Sequence, residues 1–141
     1  MTIRSSKGFS LVELLVVVAI IGILSAVGVV SYSGYVSSAK EKSTKNVMLQ
    51  ISLAQTEEYS NNGSYYTQAD SSCTPTLSTS NDIETTLFGG GDQIPKDMGY
   101  EICIANTGSS NFNIIAEEIK SSKACQLTLS RNGNFDRNDN C

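Results

Sequence analysis

The chain has 141 residues, with ten basic against fourteen acidic side chains, no histidine and a net charge of −4. That length suits one small domain plus one segment of another kind, and it excludes a multidomain enzyme. No basic run occurs in the globular portion, which disfavours sequence-independent DNA binding, because that rests on Lys and Arg neutralising phosphates.

At the N-terminus, Met1 to Gly8 carries Arg4 and Lys7 but no apolar stretch of its own. An ordinary secretory signal keeps its apolar region ahead of the cleavage site. Here the apolar region comes directly after Lys7-Gly8, so a cut between Gly8 and Phe9 removes the charges and keeps the helix. It would leave eight basic residues against fourteen acidic, a net charge of −6. From Leu14 to Ala39 there is no charged side chain. Those twenty-six residues make a helix of roughly 39 Å, longer than the ~30 Å hydrocarbon core of a bilayer. A membrane-spanning helix is expected. Glu13 stands just before this run, within the apolar helix that begins at Phe9, and an acid inside a membrane helix ordinarily has a partner and a function.

This N-terminus resembles that of the type IV prepilins. Gly8 matches the last leader residue and Phe9 the first residue of the processed chain, which a prepilin peptidase exposes and methylates. Glu13 matches the acidic fifth residue of the mature form, and Val16 to Ala26 continues the family pattern. The resemblance covers about residues 7 to 35. One departure is Val30, where many pilins carry a helix-bending proline. Gly22, Gly28 and Gly34 remain, each weakening the helix by about 1 kcal/mol. The resemblance implies that Glu13 of one subunit neutralises the Phe9 amine, on itself or on a neighbour. Pairing removes two isolated charges from an apolar interior, where leaving one unpaired costs several kcal/mol.

Beyond Ala39, Lys40, Glu41, Lys42 and Lys45 mark the water boundary, where lysine can also meet lipid headgroups. Val47, Ile51 and Ala54, with Met48 alongside, recur at the spacing of one apolar helical face, and Asn46, Gln50 and Gln55 are placed on other faces. One helix is therefore expected from Phe9 to about Tyr59, its second half packed on a sheet and stopped by Asn61-Asn62-Gly63. Tyr32 and Tyr35 fall near the outer membrane boundary, where tyrosine is common. The junction from Glu58 to Tyr65 also looks like the helix-to-loop junction of pilins. Tyr65-Tyr66 reads as loop packing rather than an exposed adhesive patch.

Residues 67 to 97, rich in Ser, Thr, Asp and Gly and holding Pro75 and Pro95, read as a connecting loop with one short helical turn near Ile83 to Phe88. Three strands are expected at Gly99 to Ala105, Phe112 to Ile119 and Cys125 to Arg131. In the first, Tyr100, Ile102 and Ile104 alternate with Glu101, Cys103 and Ala105; period-two alternation marks half-buried antiparallel strands. Turns are expected at Thr107-Gly-Ser-Ser and at Lys120-Ser-Ser-Lys123. One long helix on a small antiparallel sheet is α+β, the pilin fold in the family resembled. The expected organisation is a leader over 1–8, a long helix over 9–59 and a globular head over 60–141.

Cys73, Cys103, Cys125 and Cys141 lack CxxC spacing, and without histidine a zinc site is poorly supported. An even number on an exported domain points to two disulfides formed in an oxidising compartment. Of three connectivities, Cys125–Cys141 is favoured because the segment between is compact and loop-like, which pairs Cys73 with Cys103. Asn132, Asn134, Asp136 and Asn138 alternate as calcium ligands can, yet Arg131 and Arg137 sit among them and Asn and Gly are ordinary turn residues. A turn is preferred, and neither a metal nor another cofactor is expected. Asn62-Gly-Ser matches an N-glycosylation pattern, and the Ser and Thr of residues 71–80 read as a solvated loop.

No catalytic set is found: no histidine, nucleophile elbow or phosphate loop, so an enzyme is not expected. The resemblance implies a structural subunit that polymerises into a type IV pilus with identical or related subunits, for adhesion, motility or DNA uptake. It implies a prepilin peptidase and an inner-membrane assembly platform as partners. The precursor is expected in the inner membrane and the product in an extracellular pilus. The full Glu13 motif and the small head suit a major subunit, but neither feature excludes a minor one. The alternatives are a type II secretion pseudopilin and a membrane-anchored binding protein that never polymerises.

Overall fold

The structure, a computed structural model, describes residues 8–119 and 122–141. Residues 1–7 of the expected leader, including Arg4 and Lys7, lie outside the described residues, and so does part of the turn expected at Lys120-Ser-Ser-Lys123. The chain divides after Ala39 into two compact units.

Helix α1 runs Leu11–Asn62, starting two residues later and ending three later than expected. It is unbroken across Gly22, Gly28, Val30 and Gly34. Gly63 ends it at φ +72°, with its N–H donating to Tyr59 O at 2.8 Å, a left-handed stop that glycine adopts without strain. In the first unit, the apolar side chains from Leu11 to Val30 are all exposed. Ser25 donates its hydroxyl back to Ile21 O at 2.7 Å, so that polar group needs no water partner in an apolar medium.

The second unit begins at Lys40 and holds the remaining elements. These are β1 (Ala69–Asp70), α2 (Leu77–Phe88), a 3-10 turn (Lys96–Met98), β2 (Tyr100–Gly108), β3 (Asn111–Glu118), β4 (Gln126–Ser130) and β5 (Phe135–Arg137). The strands form one sheet in the order β1-β2-β3-β4-β5. Among the described residues only the β1–β2 pairing is parallel. With the long helix this is α+β, as expected.

Register explains the core. Ile104 lies opposite Ile114 and Ile114 opposite Leu129, while Ala116 lies between Ile102 and Leu127. These rows share one face of the sheet and join Val47, Met48 and Ile51 of α1 in a single buried cluster. Residues 44, 47, 48, 51 and 55 lie on one side of the helix, so Thr44 and Gln55 are buried too. Gln55 therefore corrects its placement on another face. Its amide meets the Tyr66 backbone on both sides: Nε2 donates to Tyr66 O at 2.6 Å and Oε1 accepts from Tyr66 N at 2.9 Å.

The segment expected to be a loop with one short helical turn near Ile83 to Phe88 holds a full helix, α2, which contains that turn and begins six residues before it. Thr76 caps α2 with its side-chain oxygen, accepting from Thr79 N at 3.2 Å, while Thr79 Oγ1 accepts from Thr76 N at 2.9 Å. The left-handed Gly89, at φ 72°, closes the helix. Three further corrections concern strands. β1 falls within the expected loop, β5 within the expected turn, and β2 is buried on both faces from Ile102 to Ala105. On the second face Cys103, fully buried, is joined to Cys73. The other disulfide joins Cys125 to Cys141.

The aromatic junction behaves as packing. Tyr65 stacks on Tyr59 at 4.6 Å between ring centroids and leans on Phe112 at 4.8 Å. Tyr65 and Tyr66 are both half-buried against the core.

Candidate functional site

The exposed apolar surface of the first unit begins with a short polar motif. Ser10 stands just before α1 and Glu13 is the third residue within it. The Ser10 backbone N–H donates to Glu13 Oε2 at 2.9 Å, and the Glu13 N–H donates to Ser10 Oγ at 3.2 Å. This is a reciprocal capping box, in which two side chains satisfy backbone donors that the first turn would leave unpaired. Sequence reasoning singles out Glu13 for its charge and misses its cap. The signal is present as Ser10-Leu-Val-Glu13, a Ser with Glu three residues later, ahead of an apolar run.

The cap fixes where the charge lies. Glu13 Oε2 is bonded to the backbone of Ser10, the residue next after Phe9. Gly8 and Phe9 are exposed and precede the helix, Phe9 at 84 % exposure. In the full chain the Phe9 nitrogen is a peptide nitrogen with no charge to offer. A cut at Gly8–Phe9 would turn it into an α-amine, cationic near neutral pH, one residue from an acceptor-rich carboxylate.

From Leu14 to Val30 the helix surface is apolar apart from Ser25 and the glycines. Leu11, Val29 and Val30 are each at least 70 % exposed, and exposed apolar surface on this scale marks an interaction or membrane surface. Among the described residues one helix, Leu11–Asn62, is long and apolar enough to cross a membrane.

The other residues singled out by sequence lie in the second unit. Asn138 accepts from Gln126 N at 3.0 Å and donates to Ala124 O at 3.0 Å. Asp136 accepts from its neighbour Arg137 N at 2.9 Å, and Asn134 O accepts from Ser130 N at 3.0 Å. The alternating Asn and Asp thus build the turn into β5, with Asn138 fastening the C-terminal segment to the start of β4. The four cysteines staple this unit in two places.

Comparison with known proteins adds two findings. The family described as "Prokaryotic N-terminal methylation motif" matches residues 3–29, the stretch that holds Gly8, Phe9 and the capping box. The chain is also similar to a fimbrial protein of Neisseria meningitidis serogroup B. The two are 30 % identical over 128 residues, which cover 90 % of this chain and 68 % of that protein. No solved structure matches this chain.

Proposed function

The chain belongs to the type IV pilin family, and on that premise we propose how this pilin-type structural subunit is processed and assembled. The precursor sits in the inner membrane through the apolar helix. A prepilin peptidase cleaves between Gly8 and Phe9 and methylates the Phe9 amine. An inner-membrane assembly platform then moves the subunit into a surface pilus, packed through Phe9 to about Tyr59 against identical or related subunits. In this reading the head, residues 60–141, forms the filament surface and serves adhesion, motility or DNA uptake.

The observation that carries the proposal is the position of Glu13. It holds a carboxylate at the Ser10 backbone, next to the nitrogen that cleavage would charge, at the head of an apolar surface without another charge until Lys40. After processing, that carboxylate neutralises a Phe9 amine, its own or a neighbour's, as helices leave lipid for a bundle of their own kind.

Two side-chain replacements separate charge from cap. Gln at the third helical position also completes a capping box, so Glu13→Gln keeps the helix start and removes the charge, whereas Glu13→Ala removes both. Both variants should insert in the membrane, and both should yield little sheared filament. Wild-type filament yield from Glu13→Gln would refute a role for the charge. Processing is read separately, by intact mass spectrometry of sheared material: a chain beginning at Phe9 with one added methyl group is expected, and one beginning at Met1 would overturn the proposal.

A further inference from the structure

The charges just past the apolar run are unevenly engaged. Glu41 is the only carboxylate between Ala39 and Glu57. It is held by Lys45 Nζ at 2.7 Å and approached by Arg137 Nη1 at 3.9 Å. Lys40 and Lys42 are exposed, and among the described residues neither ammonium has a carboxylate partner. Lys40 lies along the turn at Gly99, where an added Cβ would come within 3.3 Å of its Nζ. The ammonium is therefore carried at the surface of the head.

Depth argues for what these lysines meet. A run of about 39 Å, tilted by the average ~20°, rises roughly 37 Å. With Glu13 at one hydrocarbon boundary, Lys40 comes about 7 Å beyond the other, and each headgroup layer is about 5–7 Å deep. That is the level of the lipid phosphates. Charge argues the same way: residues 40–45 carry three lysines against one glutamate, while the chain from Phe9 onward is −6. An anionic leaflet attracts this end of the head and repels the rest.

We propose that Lys40 and Lys42 bind the phosphates of anionic phospholipids before assembly, and so set the orientation of the head on the membrane. Lys45 and Arg137 keep the Glu41 carboxylate occupied, which prevents it from pairing with Lys40 or Lys42 in place of a phosphate. The proposal rests on the membrane-spanning reading of α1, and the test separates the two.

The full chain and its Lys40→Gln/Lys42→Gln variant are reconstituted into vesicles of equal parts phosphatidylglycerol and phosphatidylcholine. Flotation tests the span, and both chains should float with the vesicles. Failure of the wild type to float would refute the span and the proposal together. Native mass spectrometry of the chains released with their lipids tests the lysines. Phosphatidylglycerol should be enriched on the wild type, and its enrichment should fall about fivefold per lysine removed, with Lys40→Arg/Lys42→Arg retaining it. Arg4 and Lys7 are common to all three chains, so the difference reports the pair. Equal phosphatidylglycerol retention by the wild type and the Gln variant, with both floating, would overturn the proposal and leave the span standing.

Discussion

Ser80 Oγ accepts the hydrogen bond of the Ile102 backbone N–H at 2.9 Å. It belongs to a seal along one edge of β2. Thr79 Oγ1 donates to Ile102 O at 2.8 Å, Gln68 Oε1 accepts from Ile104 N at 3.0 Å, and Gln68 N donates to Ile104 O at 2.9 Å. Strand β1 covers only Ala105 and Asn106, so side chains and one connecting residue complete the ladder that it leaves short. A sheet edge left open would invite pairing with another chain. Ser80→Ala strands a buried N–H and should destabilise the head by about 1–3 kcal/mol. Urea unfolding of the full chain in detergent measures this, and a change within experimental error would mean that water replaces the serine.

Gln55 makes the same kind of contact from the helix, gripping the backbone of Tyr66. Gln55→Met keeps the volume but leaves one buried donor and one acceptor without their partner, and should lower stability by about 2 kcal/mol or more. Gln50→Met, at an exposed position of the same helix, should stay within about 0.5 kcal/mol. Equal losses at the two positions would show that the amide is not a clamp.

These clamps explain where the sequence was readable. The apolar run, the alternation in β4 and the stop at Gly63 are local patterns, and each recurs in the structure. Gln55 and Ser80 carry no such pattern, because what buries them is a backbone segment distant in sequence. The first half of α2 is obscured by its composition: residues 77–82 hold few strong helix formers. The signals of the helix are the cap at Thr76 and the glycine at 89, and both lie in a stretch dominated by turn residues. β1 and β5, at two and three residues, are too short for a period to register. At Glu13 the charge is legible and the cap is legible as well, but an unusual acid in an apolar helix draws the reading to the charge alone.

Glu101 and Glu117 are directly opposed across β2 and β3, both half-buried. Like charges in that position repel, and cross-strand pairs are worth about 0.2–1 kcal/mol. Gln126 relieves one of them by donating Nε2 to Glu117 Oε2 at 3.2 Å. Glu101, without that donor, is the one to change. Glu101→Gln should raise stability by about 0.5 kcal/mol, with the gain shrinking at high salt. A loss of stability would mean that Glu101 has a compensating role elsewhere.

Burial, with the Glu118 and Glu41 carboxylates nearby, holds the Tyr100 phenol above the ordinary tyrosine value. The folded state therefore favours the neutral form. Its contribution to stability is full below about pH 10, where the unfolded phenol begins to ionise, and is lost as pH rises through the higher folded value. Between neutral pH and pH 9 Tyr100 should make no difference to the slope of stability against pH. Above pH 10 the wild type should lose stability faster than Tyr100→Phe. Parallel alkaline profiles for the two chains would contradict this assignment.

The two disulfides should separate by order of reduction and by what each releases. Cys103 is fully buried and Cys73 half-buried, whereas Cys141 is exposed, and exchange requires a thiolate to reach a sulfur. Mild reductant should therefore open Cys125–Cys141 first, as read by alkylation and mass spectrometry at intermediate times. The sequence separations are 16 and 30, and the chain-entropy argument assigns about 3 and about 3.6 kcal/mol to loops of those lengths. Replacing Cys125 and Cys141 by Ser should lower stability by about 3 kcal/mol. Amide exchange should rise first at Phe135–Arg137, because β5 is the edge strand beside that bridge and pairs only with β4. The Asn138 side-chain contacts to Ala124 and Gln126 then hold the C-terminal segment together with the Asn138 N–H bond to Gln126 O and the Arg137–Glu41 ion pair. Adding Asn138→Ala to the serine pair should raise exchange in β5 further while β2 and β3 stay protected. Simultaneous loss of protection in β3 would mean that the C-terminal segment supports the whole sheet rather than its edge.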